Sequence, residues 1–232
     1  MKPVNMKDVE EMFNLISPKY DFLNDIFSFG LHRFWKRKLL NILNPTPGEK
    51  WVDLCCGTGD MSILLAKYMQ GSENITGIDS AAQVLLVAKE RSKRKYSSIK
   101  WIKGNALETN LLSDKFDGLL MAYGLRNLSS SEAGLREAFR ILKPGGRAGI
   151  LDFRSFQGRS MQMLFQKMYL NFYVVPIASL LGLGKEYSYI EKSLVDFPSG
   201  SDQIDMALSV GFKKAEYLTL AMGQMGILLL VA

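Results

Sequence analysis

The sequence predicts an α/β fold built on a doubly wound, mostly parallel sheet, and three observations carry that prediction. Between residues 49 and 152 short apolar runs alternate with helical stretches. A tight glycine turn, Gly57-Thr58-Gly59, follows the first of those runs and opens a helix. An acidic residue, Asp79, ends the second run. Strands separated by helices need crossover connections, and crossovers leave the strands parallel. Two unrelated α+β pieces are the alternative, and the regularity of the alternation speaks against them.

Taken in order, residues 6–43 read as helix, broken at Ser17-Pro18 and at Gly30, and Asn44-Pro45-Thr46-Pro47-Gly48 reads as a linker. Residues 51–54 form a first strand, 61–68 a helix, 75–78 a strand and 81–94 a helix. Strands at 99–102 and 116–121 follow, then a helix at 132–142 and a strand at 148–151 after a Lys143-Pro144-Gly145-Gly146 turn. Residues 161–184 are rich in Met, Leu, Phe, Tyr and Val. Gln162, Gln166, Lys167 and Asn171 recur within them, and Pro176 interrupts them. A membrane-spanning helix needs ~20 almost uninterrupted apolar residues, so this stretch is an amphipathic cover over the strand ends. Residues 212–232 hold two β-like runs around Gly223-Gln224-Met225-Gly226, a closing hairpin. The expected organisation is one domain over residues 1–232, with a helical cap at 1–46 and a helical lid insert at 155–200.

Composition narrows the function. With 232 residues, 47% apolar and 22% charged, the chain excludes disordered and collagenous classes. A net charge of +6 suits an anionic membrane surface or an acidic ligand and is too small to demand nucleic acid. Cys55 and Cys56 are adjacent, which supports neither a disulfide framework nor a metal site, and fits a reducing compartment. No apolar run follows the first lysine, so a cytoplasmic location without a signal peptide is expected.

The glycine loop is the most informative stretch. Glycines there let a backbone approach a ligand closely and present helix N-terminal N–H groups. Asp79 is positioned to accept both hydroxyls of an adenosine ribose. A dinucleotide site would have a third glycine where this chain has Ser62, and the acids Asp53 and Asp60 would repel a pyrophosphate. An acidic rim suits a cationic ligand instead. S-adenosylmethionine, with its sulfonium, ammonium and ribose, meets that description. Asp53, Gly57, Thr58, Gly59 and Asp79 are its candidate binding residues. Asn105 and Ala106, beyond the third strand where an adenine would lie, and Ala122, beyond the fourth, are counted with them. Singly, each acid has an ordinary structural reading as strand end, helix cap or turn; their joint placement at consecutive strand ends favours the methyl donor.

At these residues the chain resembles the class I methyltransferases, which implies a seven-stranded sheet. More narrowly, it resembles the quinone C-methyltransferases of ubiquinone, menaquinone and phylloquinone synthesis. The resemblance rests on Ser17-Pro18-Lys19-Tyr20-Asp21, Asn24-Asp25, Ser28-Phe29-Gly30-Leu31-His32-Arg33 and Trp35-Lys36-Arg37. It continues through Asp53-Leu54, Gly57-Thr58-Gly59-Asp60 and Tyr123-Gly124-Leu125-Arg126-Asn127. Arg140-Ile141-Leu142-Lys143-Pro144-Gly145-Gly146 is shared more widely among methyltransferases. Asp152-Phe153 stands where the family commonly has Glu-Phe, and the chain ends without a basic-aromatic tail. The Cys55-Cys56 pair resembles the cyanobacterial and plastid branch, which implies 2-phytyl-1,4-naphthoquinol as methyl acceptor. The menaquinone and ubiquinone branches remain the runners-up.

The resemblance implies transfer of a methyl group to a quinol ring carbon, which is far more nucleophilic as the quinolate. A phenol with a pKa of ~10 is ionised about one part in a thousand at pH 7, a deficit of roughly 4 kcal/mol. Arg126 is the candidate to stabilise that oxyanion or hold a water that takes the proton, with Asn127 orienting it. Tyr20 and Asp21 close over the same pocket in this reading, and Tyr187 joins them from the lid. His32, the sole histidine, fits a core or helix-end position better than a base. The run from Lys89 to Lys95 reads as a solvated helix end. A lipophilic naphthoquinol is the expected partner; peripheral contact with a membrane, a thylakoid membrane included, and a homodimer are compatible with the sequence. No metal and no nucleic acid are expected. RNA methylation is disfavoured because no Asn-Pro-Pro-aromatic motif is present and both cysteines lie in the donor loop. A non-catalytic scaffold is disfavoured by the intact Gly57, Gly59, Asp79 and Arg126.

Overall fold

The computed structural model describes residues 10–12, 14–15, 20–155, 161–184, 193–194 and 196–232, with the backbone alone at positions 20 and 21. Two helices, α1 (Tyr20–Ser28) and α2 (Leu31–Leu43), precede the sheet. They are separated at Gly30, whose φ of 72° ends one helix and starts the next. Then come β1 (Trp51–Leu54), α3 (Asp60–Met69), β2 (Ile75–Asp79), α4 (Ala82–Ser92), β3 (Lys100–Lys103) and β4 (Phe116–Ala122). A 3-10 turn, Leu125–Asn127, leads to α5 (Ser131–Ile141) and β5 (Leu142–Phe153). After α6 (Met161–Tyr169), a π turn (Leu170–Val174) and α7 (Val175–Leu180), α8 (Gly200–Val210) precedes the hairpin β6 (Lys214–Leu220) and β7 (Met225–Val231).

The seven strands lie in the order β3-β2-β1-β4-β5-β7-β6. β1 through β5 pair in parallel, and β7 runs antiparallel to both β5 and β6. The order reverses at β1 and β4, so the ends of these two strands open the crevice where open α/β sheets bind ligands.

Alternation along the strands sorts the core into two layers. Val52, Leu54, Leu119 and Met121 meet Leu23 and Phe27 of α1, Leu135 and Ala138 of α5, and Leu170 and Val174 of the π turn. Trp51, Leu120 and Leu151 meet Leu39, Leu40 and Leu43 of α2 and Leu65 and Ala66 of α3. Each buried Val, Leu, Phe or Met among them contributes about 1.5–3 kcal/mol. The N-terminal helices therefore belong to the core. Glu10 and Asn14 also reach the far edge of the sheet and its helix: Glu10 pairs with Lys103 at 2.9 Å, and Asn14 Oδ1 accepts the Gln83 N–H at 3.0 Å. That bond supplies the cap that Ala81, at the N-cap of α4, cannot provide.

Two local expectations are corrected. Lys143-Pro144-Gly145-Gly146 lies inside β5 as an irregularity between the Phe116–Leu142 and Gly118–Arg147 pairs. It stays on the sheet because Ala232 bonds the Gly145 and Gly146 backbones, contacts distant in sequence. Pro176 occupies the first turn of α7, where a missing N–H costs nothing, and the helical path continues into it through the π turn. Among the described residues, no helix is long and apolar enough to cross a membrane.

Candidate active site

The first wall of the crevice is the turn after β1. Cys55, Gly57 and Gly59 all have positive φ, of 56°, 54° and 81°. At Gly59 a Cβ would lie 2.6 Å from the Trp101 ring, and at Gly77 only 2.5 Å from it. Trp101 is the register partner of Gly77, and its indole N–H donates to Ser92 Oγ at 3.2 Å. The indole thus fills the space that glycines on β2 and in the turn leave open. At Gly57 a Cβ would meet nothing within 4 Å, leaving that side of the turn open.

Asp53 is buried on β1 at 1% exposure. Ser62 Oγ donates to its Oδ2 at 2.7 Å, and its Oδ1 has no partner among the described residues. Burial lifts its carboxyl to about 7, against the pull of Ser62 and the more distant Lys36 ammonium. The serine at the third-glycine position therefore has a task, holding this carboxylate. Asp79 accepts the Gly57 N–H at 2.8 Å on Oδ2 and the Ala81 N–H at 2.9 Å on Oδ1, which ties the turn to β2. Burial also raises its pKa, and those N–H groups oppose the rise.

Asp60 corrects the reading of an acidic rim. Lys36 Nζ lies 2.9 Å from its Oδ2 and Arg91 Nη2 lies 2.7 Å from its Oδ1. Against the penalty of burial, these two cations hold Asp60 well below the usual carboxylate range. Arg91 also donates to the Thr58 carbonyl and to Thr58 Oγ1, both at 3.0 Å. It clamps the turn from a helix end that is otherwise solvated, with Lys89, Glu90, Lys93, Arg94 and Lys95 all exposed.

The second wall follows β4. Tyr123 has φ 62°, and Gly124 packs so closely on Cys55 that a Cβ there would lie 2.6 Å from the Cys55 Cβ. The Tyr123 carbonyl accepts from Arg126 Nη1 and from Asn127 Nδ2, both at 3.0 Å. Arg126 Nη1 also meets Asp152 Oδ1 at 2.5 Å, with both side chains under a tenth exposed. The Arg126 backbone N–H donates to Asp152 Oδ2 at 3.2 Å, and the guanidinium lies 5.1 Å from the Phe153 ring centroid. Arg126 is thus neither a surface residue nor a free cation. Its Nε and the Asn127 Oδ1 are buried without a partner among the described residues. One unpartnered donor and one unpartnered acceptor on adjacent residues suit a hydroxyl or a water.

Two matches identify the family. The model of the ubiE/COQ5 methyltransferase family matches residues 1–229. The chain belongs to the ubiE/COQ5 methyltransferase family. Within the curated relatives of this family member, the 2-phytyl-1,4-naphtoquinone methyltransferase of Nostoc punctiforme is 41% identical over 223 residues, covering 95% of this chain and 96% of the relative. The chloroplastic 2-phytyl-1,4-beta-naphthoquinone methyltransferase of Arabidopsis thaliana is 36% identical over 219 residues, covering 93% and 84%. Among solved structures, a SAM-dependent methyltransferase from Thermotoga maritima superposes with a TM-score of 0.66 at 18% identity, covering 95% of this chain and 98% of that one. That likeness supports the fold.

Of the residues singled out from the sequence, the structure gathers Asp53, Gly57, Thr58, Gly59 and Asp79 into one turn and its supports. It sets Arg126 and Asn127 on the facing wall. Asn105 Oδ1 accepts the Leu107 N–H at 2.9 Å, shaping the turn after β3, and Ala106 is buried beside it. Ala122 is the last residue of β4. Tyr20 opens α1 with Asp21 next to it, their side chains outside the description, and Tyr187 lies outside the described residues. His32 is a buried helix residue bonded to Ser28 Oγ at 2.7 Å, and burial followed by Lys36 lowers its pKa. Lys36, Asp152 and Trp101 had no role assigned from sequence. Lys36 could have been found from its spacing, since His32, Lys36, Leu39 and Leu43 share one face of α2.

Proposed function

We propose that this chain transfers the methyl group of S-adenosylmethionine to a ring carbon of a prenylated naphthoquinol, with 2-phytyl-1,4-naphthoquinol as the acceptor. The observation that carries the acceptor is the 41% identity, over nearly the whole of both chains, to a relative that bears this substrate in its name.

The first wall fits the donor. A buried carboxylate with an unpartnered oxygen suits an ammonium, and the Asp79 carboxylate, fixed by backbone N–H groups, keeps acceptor capacity for a ribose hydroxyl. Bound there, the donor supplies an electrophilic methyl on a sulfonium.

The second wall handles the quinol. Arg126 is held to Asp152, so its charge is fixed in place before a substrate arrives. Its Nε–H is a donor for the ring oxygen that becomes the quinolate, and Asn127 Oδ1 accepts from the hydroxyl as it ionises or from a water that carries its proton out. The methylated ring carbon then loses its own hydrogen as a proton and the ring regains aromaticity. A guanidinium does not give up its own proton, so Arg126 stabilises the oxyanion and is not the base. Recovering three orders of magnitude in ionisation needs about 4 kcal/mol, which charge-assisted hydrogen bonds in a water-poor site can largely supply. Burial, then Asp79 and Asp53, push both cysteine thiols well above their usual range, which supports a packing role for them.

A phytyl tail needs an apolar path. Phe22, Phe29, Phe34, Phe165, Met168 and Phe172 are each at least half exposed on α1, the turn that follows it, α2, α6 and the π turn. Phe29 stacks on Tyr173 at 5.3 Å between ring centroids, which brings the cap and the lid side by side. These groups support peripheral contact of a cytoplasmic protein with the membrane that holds the substrate.

The test is the mass of the product after incubating the purified protein with S-adenosylmethionine and 2-phytyl-1,4-naphthoquinone, with and without a reductant. A gain of one methyl only under reducing conditions is the expected result. Methylation of a demethylmenaquinol or a benzoquinol alone moves the acceptor to a neighbouring branch. No methylated quinol of any kind would refute the proposal.

A further inference from the structure

Lys36 lies on α2, outside both walls of the crevice, yet touches both. Its side chain is 6% exposed, and its ammonium meets Asp60 Oδ2 at 2.9 Å. The same ammonium stands 5.7 Å from the centroid of the Tyr123 ring. Asp60 is the first residue of α3 and shares the Arg91 clamp with Thr58. Tyr123 is the residue whose carbonyl holds both Arg126 and Asn127.

Packing does not explain a lysine here. The other buried members of its helix face are His32, Leu39, Leu40 and Leu43, and a methionine would fill the same place without desolvating a charge. Around the ammonium stand His32 on its own helix, Asp60 on α3, Arg91 beyond Asp60 on α4, Asp53 on β1 and Tyr123 after β4. The attraction to Asp60 is direct, and that to the ring face is electrostatic and strengthened by burial.

We infer that Lys36 is a positioning residue for methyl transfer: from the N-terminal cap, its buried ammonium holds the donor turn through Asp60 and the Arg126–Asn127 turn through the Tyr123 ring, and so sets their separation. Lys36 touches no substrate. It acts through residues that do, and the inference rests on the reading of the first wall as the donor site.

The variants Lys36→Met, Lys36→Arg and Asp60→Asn, with the double Lys36→Met/Asp60→Asn, test it. Circular dichroism and urea unfolding report folding, calorimetry reports S-adenosylmethionine affinity, and kcat is measured at saturating donor. Lys36→Met is expected to fold, to bind the donor about tenfold more weakly and to lose about tenfold in kcat as well, the scale of one charge-assisted bond. Lys36→Arg is expected to recover most of both. In the donor-free protein, the stability losses of the two single changes are expected to be non-additive, because they break one bond. A Lys36→Met protein with unchanged donor affinity and kcat per active molecule overturns the inference, as does full additivity of the two changes. If the wild type binds donor but methylates no quinol, the acceptor reading fails while the affinity and coupling measurements still judge Lys36. A wild type that binds no donor overturns both.

Discussion

Replacing Asp53 by Asn separates the stability of the free protein from its affinity for a cation. The carboxyl sits near 7 in the folded chain and at an ordinary 3.8 when exposed. A raised carboxyl pKa means that the folded state binds the proton more tightly, so stability falls as pH rises from about 4 to about 7 and levels off beyond. With those two values, linkage gives a loss of about 2 kcal/mol between pH 5 and pH 7 and about 4 kcal/mol in all. Asn cannot ionise and keeps an oxygen for the Ser62 hydroxyl. The difference in unfolding free energy, variant minus wild type, should therefore grow by about 2 kcal/mol from pH 5 to pH 7 and then flatten. Urea unfolding at pH 5, 6, 7 and 8 measures it, and taking the difference cancels the other carboxylates. Calorimetry at pH 8 should meanwhile show weaker binding of S-adenosylmethionine by the variant, by about tenfold or more for one lost charge-assisted contact. A difference that is flat with pH, or that shrinks, would refute the account of Asp53 as a buried carboxyl kept for its charge.

Arg126→Ala should keep donor binding and lose most turnover, whereas Asp79→Ala should weaken donor binding itself; equal loss of donor affinity in both would sink that division. Arg126→Ala also strands Asp152 without its cation, so chemical denaturation should register a loss of about 3–5 kcal/mol, and an unchanged midpoint would contradict the buried pair. Gly59→Ala drives a Cβ into Trp101 at positive φ and should cost about 1–3 kcal/mol along with donor affinity, measured by urea unfolding and calorimetry; wild-type values in both would refute the packing argument. Cys55 and Cys56 should resist iodoacetamide in the native protein at pH 8, followed by mass spectrometry, because both thiols stay protonated there; alkylation at the rate of the unfolded chain would show otherwise.

What was legible in the sequence is what is local. The apolar runs of β1, β2 and β4, the glycine turn and Asp79 announce themselves within a few residues, because strand burial and turn geometry act at that range. Partnerships across the fold were not legible. Lys36 meets Asp60 across 24 positions and Arg126 meets Asp152 across 26, and no periodicity encodes which cation takes which acid. Arg91 sits in a run of lysines and arginines that reads as a wet surface, and only the packing of α4 beside the turn makes it a clamp. Asp60 was read with the right sign and the wrong consequence, because its charge is spent on those cations before any ligand arrives.

The bond from Asn14 to Gln83 spans 69 positions and caps a helix whose own N-cap residue is alanine. Docking of Asn14 therefore steadies the first turn of helix α4, a contribution of about 0.5–2 kcal/mol. Arg91 rides on that helix and grips Thr58 and Asp60. Trimming or tagging the segment ahead of the sheet would loosen the Gly57–Gly59 turn from behind, by fraying the beam that carries its clamp. A preparation shortened there for convenience could be well folded and still enter the assay with a slack donor turn.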